Sequence, residues 1–154
     1  MKENSSTIIT DDEKLYRCIF YQGGGYSIEN NKVSSQAFND RYLAPSVDRA
    51  SLCHFPSYTQ KCNKDGVVSL LSKKVRSIDS VQKRGSSGAL ELIYKVDIIH
   101  RPLEDNSAHA QIEPDPEYHN KTVFRKLKEA LAVLVNEDSD SSWEIFPADC
   151  NNVH

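Results

Sequence analysis

Apolar residues fall at every second position from Leu90 to Ile98, through Leu92, Tyr94 and Val96. The alternate set Glu91, Ile93, Lys95, Asp97 and Ile99 is mixed in polarity. A period of two over this length specifies a strand with one face turned to a core. The turn-forming run Pro102-Leu103-Glu104-Asp105-Asn106 follows, and then a second short strand over Ala108–Ile112. Centring that turn on Asp105 sets Ile98 opposite Ile112 and His100 opposite Ala110, which keeps one face apolar. A slip by one residue would mix the faces, so the register is specified. A hairpin of this kind needs other elements to cover its apolar face.

The rest of the chain supplies them. Leu15–Tyr21 reads as an aromatic, β-branched strand stopped by Gly23-Gly24-Gly25. Tyr16, Cys18 and Phe20 form its expected core set. Leu15, Ile19 and Tyr21 are apolar as well, which marks a central strand with Arg17 as its odd member. Val67, Leu71, Val75 and Ile78 recur at helical spacing, with Asp65 as N-cap, and predict a helix. The β-branched pair Val67-Val68 keeps a strand open there. Lys83–Gly88 reads as a turn region. Val123, Leu127, Leu131, Leu134 and Val135 mark an amphipathic helix over Thr122–Asn136, and Trp143–Pro147 reads as a last short strand that pairs back into the sheet.

The expected fold is therefore α+β: a small mixed or antiparallel sheet with two helices and a long irregular segment over residues 26–64. At 154 residues and 38% hydrophobic content there is material for one core. We place a polar flexible N-terminus at 1–13, a single domain at 14–148 and a polar tail at 149–154. No run approaches the ~20 apolar residues of a membrane span, and no signal-peptide pattern opens the chain. A cytoplasmic protein is expected, with Cys18, Cys53, Cys62 and Cys150 as free thiols. A net charge of -3 excludes the globally basic balance of a polyanion binder. The local basic run Lys73, Lys74, Arg76, Lys83 and Arg84 reads as a solvated face.

Chemistry-bearing residues are few. Cys53-His54 with Cys62 supplies soft metal ligands, and His100 or His109 a fourth, but the Cys-x-x-Cys spacing of a tetrahedral site is absent. No metal or cofactor is assigned. The triple glycine lacks both phosphate-loop patterns. His100 ends an apolar row and reads as a core-edge residue. His109 shares the polar face with Arg101, a setting for acid–base work or simply an exposed face. Ser34, Ser35 and Gln36, then Asp48 and Arg49, combine hydroxyls, an amide, a carboxylate and a guanidinium. That inventory serves ligand recognition and equally serves turns and caps.

Four segments agree in order with a group of small bacterial proteins. Ser34-Ser35-Gln36-Ala37-Phe38-Asn39-Asp40, Ser46-Val47-Asp48, Pro102 to Ala110 and Trp143 to Pro147 resemble the group's SSxAFxD…SVD…PxxNPAHA…WxxxP pattern. Ser107 stands where the group often has proline, and Tyr42-Leu43-Ala44-Pro45 is inserted before Ser46. The resemblance implies a bacterial origin and emphasises Ser35, Asp48 and His109. Arg17 on the first strand followed by Ser34 and Ser35 also resembles ADP-ribosyltransferase-like folds, with Glu113 in a loop-like context as the later glutamate.

Three functions follow. The first is an accessory or binding module acting through Ser34–Arg49 and the polar hairpin face, at Ser34, Ser35, Gln36, Asp48, Arg49, Arg101 and His109. A protein is its favoured partner; nucleic acid stays open and a membrane does not. The second is an enzyme acting on a nucleotide or nucleic acid, with Arg17, Ser35, Asp48 and His109 in one cleft. The third is a small zinc module.

Overall fold

The computed structural model describes residues 7–27, 31–78, 82–84, 90–93, 95–114 and 121–148. In chain order the elements are β1 (Lys14–Ile19), β2 (Tyr26–Ser27), β3 (Lys32–Val33), β4 (Ser46–Arg49), α1 (Ala50–Cys53), β5 (Gly66–Leu71), α2 (Ser72–Arg76), β6 (Gln82–Arg84), β7 (Leu90–Ile93), β8 (Val96–His100), β9 (His109–Pro114), α3 (Lys121–Glu137) and β10 (Ser142–Ile145). Two 3-10 turns, Ser35–Phe38 and Pro56–Thr59, lie in the middle region. The fold is α+β, as expected.

Six strands form one antiparallel sheet in the order β10-β5-β1-β4-β9-β8. β1 is central, and its described neighbours explain why both of its faces are apolar. Leu15 and Ile19 join Val47, Val68, Leu70, Ile98, Ala110 and Ile112 in the main core, which α3 covers with Val123, Leu127, Leu131 and Val135. Tyr16 packs on the opposite face with Cys53, Val67 and Ala108. The hairpin register is the one the apolar pattern requires, with Ile98 opposite Ile112 and His100 opposite Ala110. Ahead of β1, Ile9 is buried in the main core.

Several elements differ from the sequence reading. The helix expected from Asp65 to Ile78 is instead the strand β5 followed by the one-turn helix α2. Val67 and Val68 are both fully buried, one on each side of the sheet. A strand covered on both faces carries a continuous apolar run, and part of such a run matches helical spacing by accident. Asp65 caps no helix. Its carboxylate accepts from the amides of Tyr21, Lys61 and Cys62 and ties two loops together.

The long alternating strand is two: β7 pairs with β6 in a separate two-stranded sheet, and β8 joins the main one. Lys83 and Arg84 therefore lie on a strand rather than in a turn; residues 85–88 lie outside the described residues. Phe20, expected in the core, is 50% exposed because β1 ends at Ile19. Glu113 lies on β9, not in a loop. Residues 26–64 hold β2, β3, β4, α1 and both 3-10 turns. Asn136 of α3 anchors this region, since its amide pairs with both backbone groups of Val33 at 2.9 Å. Among the described residues no helix is long and apolar enough to cross a membrane.

Candidate functional site

The register places a row of polar side chains on the sheet face that α3 does not cover. Tyr16 pairs with Asp48 and Asp48 with His109, while Ser46 pairs with Gln111. Because successive side chains alternate faces, Ser46, Asp48, His109 and Gln111 share this side, and Val47, Arg49 and Ala110 point to the core. Residues 50–65 cover one end of the face. Beside and beyond them lie two hollows that share Asp40, Ser46, Leu103 and His109.

The first hollow, about 800 Å³, is lined by Tyr42, Ala44, Pro102, Leu103 and Pro114 together with the polar Arg41, Arg101, Gln111 and Glu113 and the four shared residues. Arg101 and Glu113 form a bidentate ion pair, with Arg101 Nη2 to Glu113 Oε1 at 2.9 Å and a second contact through Nε. The second hollow, about 560 Å³, is lined by Arg17, Asn39, Asp48, Tyr58, Lys61 and Asn106 among others. Phe20, Tyr42, Tyr58 and Leu103 stand at the rims and are between 45% and 66% exposed.

Asp48 is buried and organises the floor. Its Oδ2 accepts from Thr59 Oγ1 and its Oδ1 from Asn106 Nδ2, both at 2.8 Å. Asn106 Oδ1 in turn accepts from Tyr58 Oη at 2.7 Å and from the Ala108 amide. One carboxylate thus locks the Pro56–Thr59 turn and the β8–β9 connection against β4. The network runs from the buried Asp48 and Thr59 out to the exposed Tyr58, and a network in which each group has a partner holds a site rigid.

Arg17 crosses from β1 to the loop before β4. Nε donates to the Ala37 carbonyl, Nη2 to that of Asn39 and Nη1 to that of Ser46, at 2.8 to 2.9 Å. β1 and β4 pair through only Leu15–Arg49 and Tyr16–Asp48, and the guanidinium fills the gap where they part. Burial lowers its pKa from the ordinary value, and the charge of Asp40 opposes that shift. An arginine remains charged under such conditions. Its place is that of a positioning residue with one edge on the second hollow.

His109 and Ser46 meet on the ridge between the hollows. His109 Nε2 lies 3.1 Å from Ser46 Oγ, and His109 Nδ1 lies 2.7 Å from the Arg101 carbonyl. Ser46 Oγ is also 3.1 Å from Asp40 Oδ2.

The structure brings Arg17, Asp48, Arg101 and His109 to one groove. Ser34, Ser35, Gln36 and Arg49 line neither hollow. Ser34 caps the 3-10 turn, accepting from the Gln36 amide, and Ser35 begins that turn. Arg49 faces the core, where it makes a buried bidentate pair with Glu13 and contacts His100 Nδ1 at 3.2 Å. Burial and then the Arg49 charge lower the His100 pKa.

Sequence reading did not single out Ser46, Asp40, Thr59 or Asn106 as site residues. Ser46 carries one signal, its two-residue spacing from Asp48, which puts both on one strand face. The pairing of β4 with β9 brings it to His109. Cys53 is buried while His54 and Cys62 are exposed, and among the described residues no group of three His, Cys, Asp or Glu side chains is placed to hold a metal ion. Burial pushes the thiols of Cys18 and Cys53 up to about 11.

Comparison with protein-family models, curated proteins and solved structures returns no significant match.

Proposed function

We propose that this chain is a binding module whose groove takes an extended segment of a partner protein. The observation that carries this reading is the continuity of the two hollows through Asp40, Ser46, Leu103 and His109. An elongated depression with a polar floor suits a strand-like peptide, whose backbone presents donors and acceptors at regular intervals. Exposed Phe20, Tyr42 and Tyr58 at the rims supply the aromatic contacts on which protein interfaces rely. Arg41 and Lys61 in the lining are balanced by Asp40 and Asp105, a mixed field that favours a peptide over the uniform negative charge of nucleic acid.

A cytoplasmic, bacterial setting belongs to the same reading. Cys18, Cys53 and Cys62 are free thiols, which fits a reducing compartment, and the SSxAFxD-type pattern supports the bacterial source.

The test is fluorescence polarisation with an unbiased heptapeptide library, run beside mononucleotides and single-stranded DNA. Peptides are expected to bind, and Tyr42→Ala to weaken them about tenfold, or ~1.4 kcal/mol. Selective binding of nucleotides or DNA, or no binding of any peptide, overturns the reading.

A further inference from the structure

We infer that Ser46 is a nucleophile toward ester carbonyls, with His109 as its base. The inference rests on the groove being a ligand site and adds a reaction to it. His109 Nδ1 faces the Arg101 carbonyl at 2.7 Å, and a carbonyl oxygen only accepts, so the proton of the neutral ring sits on Nδ1. That leaves a lone pair on Nε2, which faces the Ser46 hydroxyl at 3.1 Å. A hydroxyl in reach of a base, with the base oriented by a third group, is the arrangement that activates a serine. Asp40 Oδ2 holds the same hydroxyl at 3.1 Å, while Asp40 Oδ1 accepts from the Tyr42 amide at 2.9 Å. The single hydroxyl proton thus has two acceptors in reach, Asp40 Oδ2 and His109 Nε2, and the serine is activated when that proton is turned to Nε2.

Position gives the substrate class. Ser46 and His109 border both hollows, one walled largely by apolar groups and the other by Arg17, Asn106 and Asp48. A carboxylic ester lying across the ridge has its apolar acyl chain in the first hollow and its alcohol portion in the second. Its carbonyl then sits beside Ser46.

Ser46 Oγ bonds to the carbonyl carbon as its proton passes to His109 Nε2. The tetrahedral adduct collapses, the bond from carbon to the alcohol oxygen breaks, and His109 returns the proton to that oxygen. Water then attacks the acyl-serine with His109 again as base, which releases the carboxylic acid and restores the hydroxyl. Water is the one co-reactant.

The full chain is assayed with p-nitrophenyl butyrate and labelled with a fluorophosphonate, followed by peptide mass spectrometry. Turnover above the buffer rate and an adduct on Ser46 are expected. Ser46→Ala abolishes both, and His109→Gln slows turnover about 100-fold or more with an unchanged circular dichroism spectrum. No turnover, turnover indifferent to Ser46→Ala, or an adduct elsewhere overturns the inference. Heptapeptide binding to Ser46→Ala separates the two readings. Peptides bound without ester turnover leave the groove reading standing and remove the nucleophile; turnover without peptide binding does the reverse.

Discussion

Arg17 Nη1 donates to the backbone oxygen of Ser46 at 2.8 Å, so a charged side chain from the central strand holds the residue that begins β4. Two further bonds, to Ala37 and Asn39, make the guanidinium a bracket for the loop that shapes the groove. Arg17→Met leaves three carbonyls without this donor in a buried setting. The expected loss is about 3 kcal/mol or more in urea unfolding, since each unsatisfied buried group costs roughly 1–3 kcal/mol. Arg17→Lys offers one compact donor head in place of a fork and recovers only part of that loss. Equal stability of Arg17→Met and wild type would show that water satisfies those carbonyls.

Glu13 and Arg49 form a buried pair, with side chains 7% and 3% exposed. Burial raises the Glu13 pKa, but hydrogen bonds from Arg49 and Ser51 and the Arg49 charge outweigh it, and the net shift is downward. A folded-state pKa below the unfolded one means the carboxylate contributes stability above the unfolded value of ~4.3. That contribution is lost as pH falls from there through the lower folded value. Glu13→Ala is expected to cost about 3–5 kcal/mol at pH 7 by taking the carboxylate away from the buried Arg49 guanidinium. It also flattens the acid limb of the stability curve as pH falls below the unfolded value of ~4.3; an acid limb as steep as wild type would assign that limb to other carboxylates.

Asp48 joins the turn carrying Thr59 to the connection carrying Asn106. Asp48→Ala removes the shared acceptor of both, and a loss of about 2 kcal/mol follows from the buried Thr59 hydroxyl and the half-buried Asn106 amide losing their acceptor. Hydrogen exchange of the Ala108 amide, which Asn106 Oδ1 holds at 3.1 Å, should accelerate in the same variant. Unchanged exchange there would mean that Asn106 keeps its position without the carboxylate.

Cys18 and Cys53 are buried, with burial the main cause of their raised pKa values of about 11, whereas Cys62 is exposed. Only the thiolate reacts with an alkylating agent. Iodoacetamide at pH 8 on the native protein, followed by peptide mapping, should therefore modify Cys62 well before Cys18 or Cys53. Early modification of Cys18 would mean that the junction of β1 with the Asp65 loop opens readily.

Local pattern alone determined the α+β class, the central place of β1, the amphipathic helix α3 and the register of the β8–β9 hairpin. For the hairpin and α3 a single face had to be buried, and period two or 3.6 then leaves one solution, as the pairing of Ile98 with Ile112 shows, whereas β1 showed its central place by carrying apolar residues on both faces. The same logic misread Val67–Ile78, because a strand buried on both sides has no polar phase to betray its period.

The site was less legible. Asp48, Arg101 and His109 stood out by residue type, and Ser34, Ser35, Gln36 and Arg49 stood out equally but lie elsewhere. A serine that caps a turn and a serine that faces a groove look identical in sequence. Only the long-range pairing of β4 with β9 distinguishes them, by setting Ser46 against His109 across strands more than sixty positions apart. Such contacts depend on the closure of the whole sheet, and no local propensity encodes them.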